Sequence, residues 1–337
     1  QLDDDTIEKI KDKNEFVWFT DLGSGQIDIL KGLTFVITDH HLPKIPHKMQ
    51  LNPHEFGHDG SIDMSGAVAT YLVAKNMGLN FDLSDLAIVG AVGDLQDLKF
   101  GRLVGINKMV VEEAIKLGFI KAKRDLRLFG KQTRPIAKML EYTFDPYLPG
   151  ISGSESGSVE FLTSLGIDPW KKWIDLTHEE RKTVASALIT LCMEYSIPYS
   201  TIMKLAGDSY ILTREKEGTE KRDAMEFSTL LNATARYGEA EIGLRVCLGD
   251  DDAYKRARTL LQNHRRNLSA GIRFVDEIGI VEMNNIQYFH AENNIPDTIL
   301  GIVAGMYLPK ANLHKPIIAF ASSDNGIKVS CILEVRW

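Results

Sequence analysis

Residues 36–41 read VITDHH: an apolar, β-branched run ends in a carboxylate and two imidazoles, Asp39, His40 and His41. Such groups suit hard-to-borderline divalent cations such as Mn2+. Two further carboxylates stand in comparable places, Asp21 in TDLGSG and Asp94 in VGDLQD. No cysteine lies near them in the sequence, which argues against a structural zinc centre. A pair of cations about 3.5–4 Å apart activates water and stabilises in-line displacement at phosphorus. That chemistry wants a bridging carboxylate, a part open to Asp21. Gly23 and Gly25 beside it would let the main chain approach an anion closely. Each group also has a plainer use. A lone aspartate after a strand commonly caps a helix or forms a turn, a histidine pair is commonly a partly buried polar pair, and Asp94 could simply be polar near a helix end. Placement of all three at the exits of successive elements favours a site and leaves the structural roles open.

Those exits require strands and helices in alternation. FVWF (16–19) and FVIT (35–38) read as strands. GAVATYLVAKNMG (66–78) reads as a helix with Asp63 and Ser65 as candidate caps and a close at Gly78, and SDLAIVGAVG (84–93) as a buried helix. This order predicts an α/β fold with a parallel sheet, in which ligands gather beyond the carboxyl ends of the strands. From about 103 to 250 the pattern becomes helical, with apolar residues at three-to-four spacing in 106–118, 158–166, 178–196 and 223–238. Residues 251–278 predict one long charged helix, weakest at Gly271 and suited to bridging two domains. Strands at 286–291, 315–323 and 328–335, with a helix at 297–308, predict a second, smaller α/β unit.

The chain has 337 residues, 44% of them hydrophobic, enough for two globular domains with a real core. No apolar run approaches the roughly 18–20 residues needed to span a bilayer. The three cysteines, Cys192, Cys247 and Cys331, form no CxxC pair and are expected to be reduced and buried, in keeping with a cytoplasmic protein. A net charge of −7 argues against a wholly basic nucleic-acid coat protein but leaves room for a local basic groove. Two runs could line one. Residues 121–134 hold six Lys/Arg against one Asp, with Phe129 among them, and residues 255–266 hold five Lys/Arg. Either run alone could equally be a solvated helix face.

The blocks FTDLGSG, VITDHH, DMSGAVATYLVAK and AIVGAVGDLQD, in this order, resemble the DHH phosphoesterase superfamily, and within it the archaeal RecJ-like exonucleases, including the GINS-associated nuclease. LRLFGKQTRPIAKMLEYTFDPYLPGISG, EFSTLLNATARYG, CLGDDDAYKRAR and DTILGIVAGM extend the resemblance over nearly the whole length. It implies a parallel-sheet DHH domain over 1–102, a helical insertion over 103–250, a linker helix over 251–283 and part of a substrate-binding α/β domain over 284–337. It implies Asp21, His40 and Asp94 as ligands of Mn2+, with Mg2+ as the second choice, and two ions in the complete protein. Asp39 would orient the histidines, His41 would face the scissile phosphate, and Gly23, Ser65 and Gly66 would lie near the phosphate path, Ser65 more simply as a helix cap. Arg124, Arg127, Lys131, Arg134, Arg256, Arg265 and Arg266 would contact a single strand of DNA or RNA running beside the linker helix.

The activity implied is release of mononucleotides from single strands, by attack of activated water on the terminal phosphodiester. The alternatives are a phosphodiesterase for short oligonucleotides or cyclic dinucleotides on the same core, and an inactive scaffold of a replicative helicase assembly. A partner of the GINS type follows from the resemblance alone. Two departures from the family pattern matter. The aspartate-rich first motif, expected upstream of DLGSG, is replaced by LDDDTIEKIKDKN, whose Asp3, Asp4 and Asp5 read as helix-start charges. No glycine-rich GGH-type motif appears before Trp337, and Ile332 stands near the place of an expected arginine. The chain also begins at Gln1. These features lead to the expectation of a piece of a longer protein that binds metal weakly and hydrolyses poorly by itself.

Overall fold

In the computed structural model, which describes residues 2, 4–11, 16–324 and 326–333, the chain divides into two compact units, Gln1–Ser228 and Thr229–Trp337. Asp3 and the residues from Glu334 onward, parts of two stretches singled out above, lie outside the described residues. The first unit opens with α1 (Asp4–Lys11), then β1 (Phe16–Thr20), β2 (Thr34–Thr38) and the two-residue β3 (Gln50–Leu51). These strands form a parallel sheet in the order β1-β2-β3, with Thr20 level with Thr38 and Thr38 level with Leu51. The ladder runs one step beyond the strands: the Asp21 N–H donates to the Thr38 carbonyl at 2.8 Å and the Asp39 N–H to the Leu51 carbonyl at 3.1 Å. Ile7, Phe19, Ile27, Leu30 and Ile37 form one buried cluster, in which each large aliphatic side chain contributes roughly 1.5–3 kcal/mol.

α2 (Gly66–Gly78) packs on β2 and on α3 (Ser84–Gly93), which in turn packs on α4 (Gly105–Lys116). The Ser65 hydroxyl accepts from the Val68 N–H, so Ser65 is the N-cap of α2 as its sequence context suggested. Beyond α4 the sequence pattern predicted helices alone. The structure instead inserts β4 (Ile120–Leu126), and far along the chain its antiparallel partner β5 (Ala206–Leu212), in register from Ile120↔Leu212 to Leu126↔Ala206. Only Ile120 and Leu126 of β4 are buried, so the strand carries no alternating apolar signal. Between the two strands lie α5 (Ile136–Glu141), α6 (Glu155–Ser164), α7 (His178–Glu194) and the short α8 (Tyr199–Ile202). Their buried cluster includes Ile136, Leu140, Leu162, Trp173, Val184 and Leu188. Thr177 and Glu180 cap the start of α7 reciprocally.

α9 (Ala224–Arg236) straddles the division at Ser228. The second unit continues with α10 (Ala240–Cys247) and the single helix α11 (Asp251–Ile278), whose N-cap Asp250 accepts from the N–H groups of Asp252 and Ala253. Gly271, anticipated as a weak point, is a point of close approach: a Cβ there would lie 2.9 Å from Val303 in α12 (Leu300–Tyr307). β6 (Val281–Glu282), β7 (Gln287–Glu292), β8 (Ile317–Ser323) and β9 (Gly326–Ile332) form a mixed sheet in chain order, with β7 and β8 parallel. The cysteines depart from expectation. All three are free, but only Cys192 is buried; Cys247 is half-buried and Cys331 lies exposed on the largely solvated β9. Among the described residues no helix is long and apolar enough to cross a membrane.

Candidate functional site

The parallel register of β1 and β2 brings Asp21 and Asp39 to the same sheet edge. Asp21 adopts φ 64, a left-handed conformation uncommon for a non-glycine residue, and its side chain is 62% exposed. Its carboxylate fits only because residue 66 is glycine: a Cβ there would lie 2.1 Å from Asp21 Oδ1. Gly23, also in the left-handed region, turns the chain out of β1.

Asp39 is buried and fully engaged. Oδ1 accepts from the His40 N–H at 2.8 Å, the His41 N–H at 3.2 Å and His41 Nδ1 at 2.8 Å, and Oδ2 accepts from the Ser24 N–H at 3.0 Å. Burial alone would raise its pKa, but these four donors outweigh it and hold the carboxyl below the usual range. Asp39 thereby fixes the proton on His41 Nδ1 and turns Nε2 of that exposed ring outward.

His40 is buried between two polar anchors. Its Nδ1 lies 2.6 Å from the Gly60 carbonyl, and its Nε2 lies 3.1 Å from Asp21 Oδ1. Burial disfavours the imidazolium, yet the Asp21 carboxylate, the Gly60 carbonyl and Asp94 together raise its pKa to about 9. In this geometry Nε2, on giving up the proton it shares with Asp21, is the nitrogen offered to a cation.

The ligand atoms of Asp21, His40 and His41 all lie within 4.8 Å of one another. These residues fit a divalent cation by donor type, by the opening on the Asp21 and His41 side, and by the anchoring behind His40 and His41. Asp94 does not join that set. It forms the C-cap of α3, 3.6 Å from His40 Nδ1 on the ring edge away from Asp21, and its Oδ2 accepts from Gln96 at 2.8 Å. Ser65 and Gly66 are spent on capping α2 and on admitting the Asp21 carboxylate.

Sequence reasoning missed Gly60, the His40 acceptor, and Gln96, which is fully buried. Gly60 sits in a turn whose glycine signalled only flexibility; in fact a Cβ there would meet the His40 carbonyl oxygen. The signal for Gln96 was the uncharged polar residue two places after Asp94.

The basic residues divide. Arg124 is exposed on β4, and Arg134 stacks between Phe129 and Tyr142, its guanidinium carbon 4.7 and 4.9 Å from the ring centres. On α11, Arg266 is exposed, Arg265 is half-buried, and Arg256 pairs with Glu239 at 2.8 Å. Arg127 and Lys131 are not surface groups, which corrects the sequence expectation for both. Arg127 grips buried Asp97 with Nε and one terminal nitrogen, at 2.8 and 2.6 Å. Lys131 is buried, donating to the Leu126 carbonyl and to Ser209, with Asp223 at 3.6 Å. A count of charges in 121–134 cannot reveal acidic partners distant in sequence.

Glu226 lies buried beside this cluster, accepting from the Gln132 N–H at 2.7 Å and the Thr133 hydroxyl at 2.5 Å. Burial first, and then the Asp223 carboxylate, push its carboxyl up to about 7. A carboxyl with a higher pKa in the fold than in the unfolded chain favours the fold most below about 4.5, and that contribution is lost as pH rises through 7. Glu226→Gln keeps an acceptor for the Gln132 N–H, lets the Thr133 hydroxyl accept from the new amide instead of donating, and removes the charge. It should raise stability at pH 8 by about 2–3 kcal/mol and change little at pH 4.5. Urea unfolding at the two pH values measures this; an unchanged difference between them would refute the assignment.

Residues 128–206 match the DHH-CID domain family. The chain belongs to the DHH superfamily. It is 34% identical over 342 residues to an uncharacterized protein of Methanocaldococcus jannaschii, an alignment covering 98% of this chain and 72% of that protein. The fold is similar to that of CDC45 from Entamoeba histolytica, with a TM-score of 0.67 and 12% identity over 95% of this chain and 75% of the other.

Proposed function

We propose that the chain is a metal-dependent phosphodiesterase of the RecJ-like type, which hydrolyses single-stranded DNA or RNA to mononucleotides. The donor set of Asp21, His40 and His41 carries this reading. A bound Mn2+, or Mg2+, supplies a Lewis acid and a water that ionises near neutral pH. Asp21 and His40 Nε2 would hold the cation, and Gly60 holds the His40 proton on Nδ1, away from it. His41, fixed by Asp39, would direct Nε2 at a phosphoryl oxygen and stabilise the charge that develops there. Asp94 would steady the far edge of His40 or turn inward as a further ligand. Arg124 and Arg134 of the first unit, and separately Arg266 of the second, would each offer a cation to a phosphate, Arg134 backed by the rings of Phe129 and Tyr142.

The burial of Arg127 and Lys131 favours a second reading, in which the substrate is a short oligonucleotide or a cyclic dinucleotide and needs little groove. A GINS-type partner belongs to the proposal through the sequence resemblance.

The test is product release from end-labelled single strands of 2–40 nucleotides, and from cyclic dinucleotides, with Mn2+ or with EDTA. Mononucleotides formed only with Mn2+, at a low rate and from the longer strands as well, support the first reading. Cleavage confined to the shortest substrates selects the second. No Mn2+-dependent hydrolysis at any length overturns both and leaves a scaffold.

A further inference from the structure

Behind the donor set runs a line of buried amides with a fixed direction. The Ser65 main-chain N–H can only donate, and it donates to Asn107 Oδ1 at 3.1 Å. That fixes the Asn107 amide, whose Nδ2 donates to Gln96 Oε1 at 2.6 Å. Gln96 must then turn its NH2 the other way. There it donates to Asp94 Oδ2 at 2.8 Å and to the Gly60 carbonyl at 2.9 Å, the carbonyl that also anchors His40 Nδ1. Gln96 and Asn107 are each fully buried. Leu95, between Asp94 and Gln96, adopts φ 59 while largely exposed, so its own packing does not account for the tight turn. The turn is what places Asp94 and Gln96 on the same side of His40.

We infer that Gln96 and Asn107 are a positioning pair that transmits the polarity of the α2 N-cap to Asp94 and His40, and so sets the affinity of the site for a divalent cation. This rests on the metal-site reading above. One Asp94 oxygen is occupied by Gln96, which holds that carboxylate beside His40 Nδ1. The Gly60 carbonyl is held by two donors and cannot swing away from the His40 ring. The direction of the whole line is decided at Ser65, in a different element from the ligands.

Two substitutions probe it from opposite ends. Gln96→Met keeps the volume and removes every donor. Asn107→Asp leaves an acceptor for the Ser65 N–H but presents a second oxygen to Gln96; the Gln96 amide must flip and turn its own oxygen on Asp94. Outer-shell partners of this kind change metal affinity by about 10–100-fold. Both variants of the full chain should therefore bind Mn2+ about tenfold more weakly, read from the electron paramagnetic resonance of unbound Mn2+ at a temperature where circular dichroism shows each variant folded. Parental Mn2+ affinity in either folded variant overturns the inference. In the parent protein, the Gln96 side-chain amide protons should be resolved and protected from exchange in NMR spectra, and Asn107→Asp should shift and expose them. Rapidly averaged Gln96 protons in the parent overturn the inference even if a variant fails to fold. If the parent binds no Mn2+, the metal-site reading falls, while the Gln96 signal still decides whether the directed line exists.

Discussion

Asp21→Asn should weaken Mn2+ binding at least about a hundredfold and slow metal-dependent hydrolysis about a thousandfold, roughly 4 kcal/mol in the latter case. The substitution isolates charge from shape. Asparagine has the same size as aspartate, so it still fits against Gly66, where a Cβ would lie 2.1 Å from the carboxylate oxygen. Asparagine also tolerates the left-handed region well, and residue 21 has φ 64. Its side chain is 62% exposed, and an asparagine oxygen can still accept from His40 Nε2. Thermal stability should stay within about 1 kcal/mol of the parent. What is lost is the negative charge that lies 3.1 Å from His40 Nε2 on the open side of the site. Mn2+ titration beside a melting curve provides the comparison. Binding within threefold of the parent would remove Asp21 from the metal site.

Arg127→Met should cost about 3–5 kcal/mol of folding stability, because it strands a buried carboxylate. Asp97 is 1% exposed and its two oxygens are held by the two nitrogens of one guanidinium. Methionine can fill the volume but offers no donor. The double variant Arg127→Met, Asp97→Leu should recover most of the loss, since replacing both members of a buried pair with apolar groups is often neutral. Urea unfolding of the three proteins measures this. A cost below 1 kcal/mol for the single change would mean that water reaches Asp97. The pair also ties the turn after α3 to the end of β4, so the destabilised variant should show its loosening next to Asp94 and Gln96.

Much of the first unit was legible in the sequence because its signals are local. Two β-branched runs with polar exits, the Ser65 cap and the apolar helix at 84–93 each declare themselves within a dozen residues. The meeting of Asp21 with His40 followed from strand order once the strands were placed. Three things were not legible. β4 hides its nature because four of its five central residues are exposed, and its partner is far along the chain. Arg127 and Lys131 look like surface cations until Asp97 and Asp223 are brought beside them. The Gln96 anchor that holds Asp94 at the end of α3 was hidden too, because Gln96 is buried through its bonds to Asn107 and Gly60. Long-range pairing decides all three, and no window of sequence contains it.

The extra rungs by which the main chain of Asp21 and of Asp39 continues the parallel ladder bear on recognition itself. A ligand arriving at this edge meets a backbone that is already ordered, so little flexibility remains to be surrendered on association, and discrimination among ligands falls to side-chain chemistry alone. The segment between the two strands shares that order, because Ser24 holds Asp39 and Ile27 and Leu30 fill the core beneath it, and a slip of one residue in the pairing would turn an acid away from its imidazole partner.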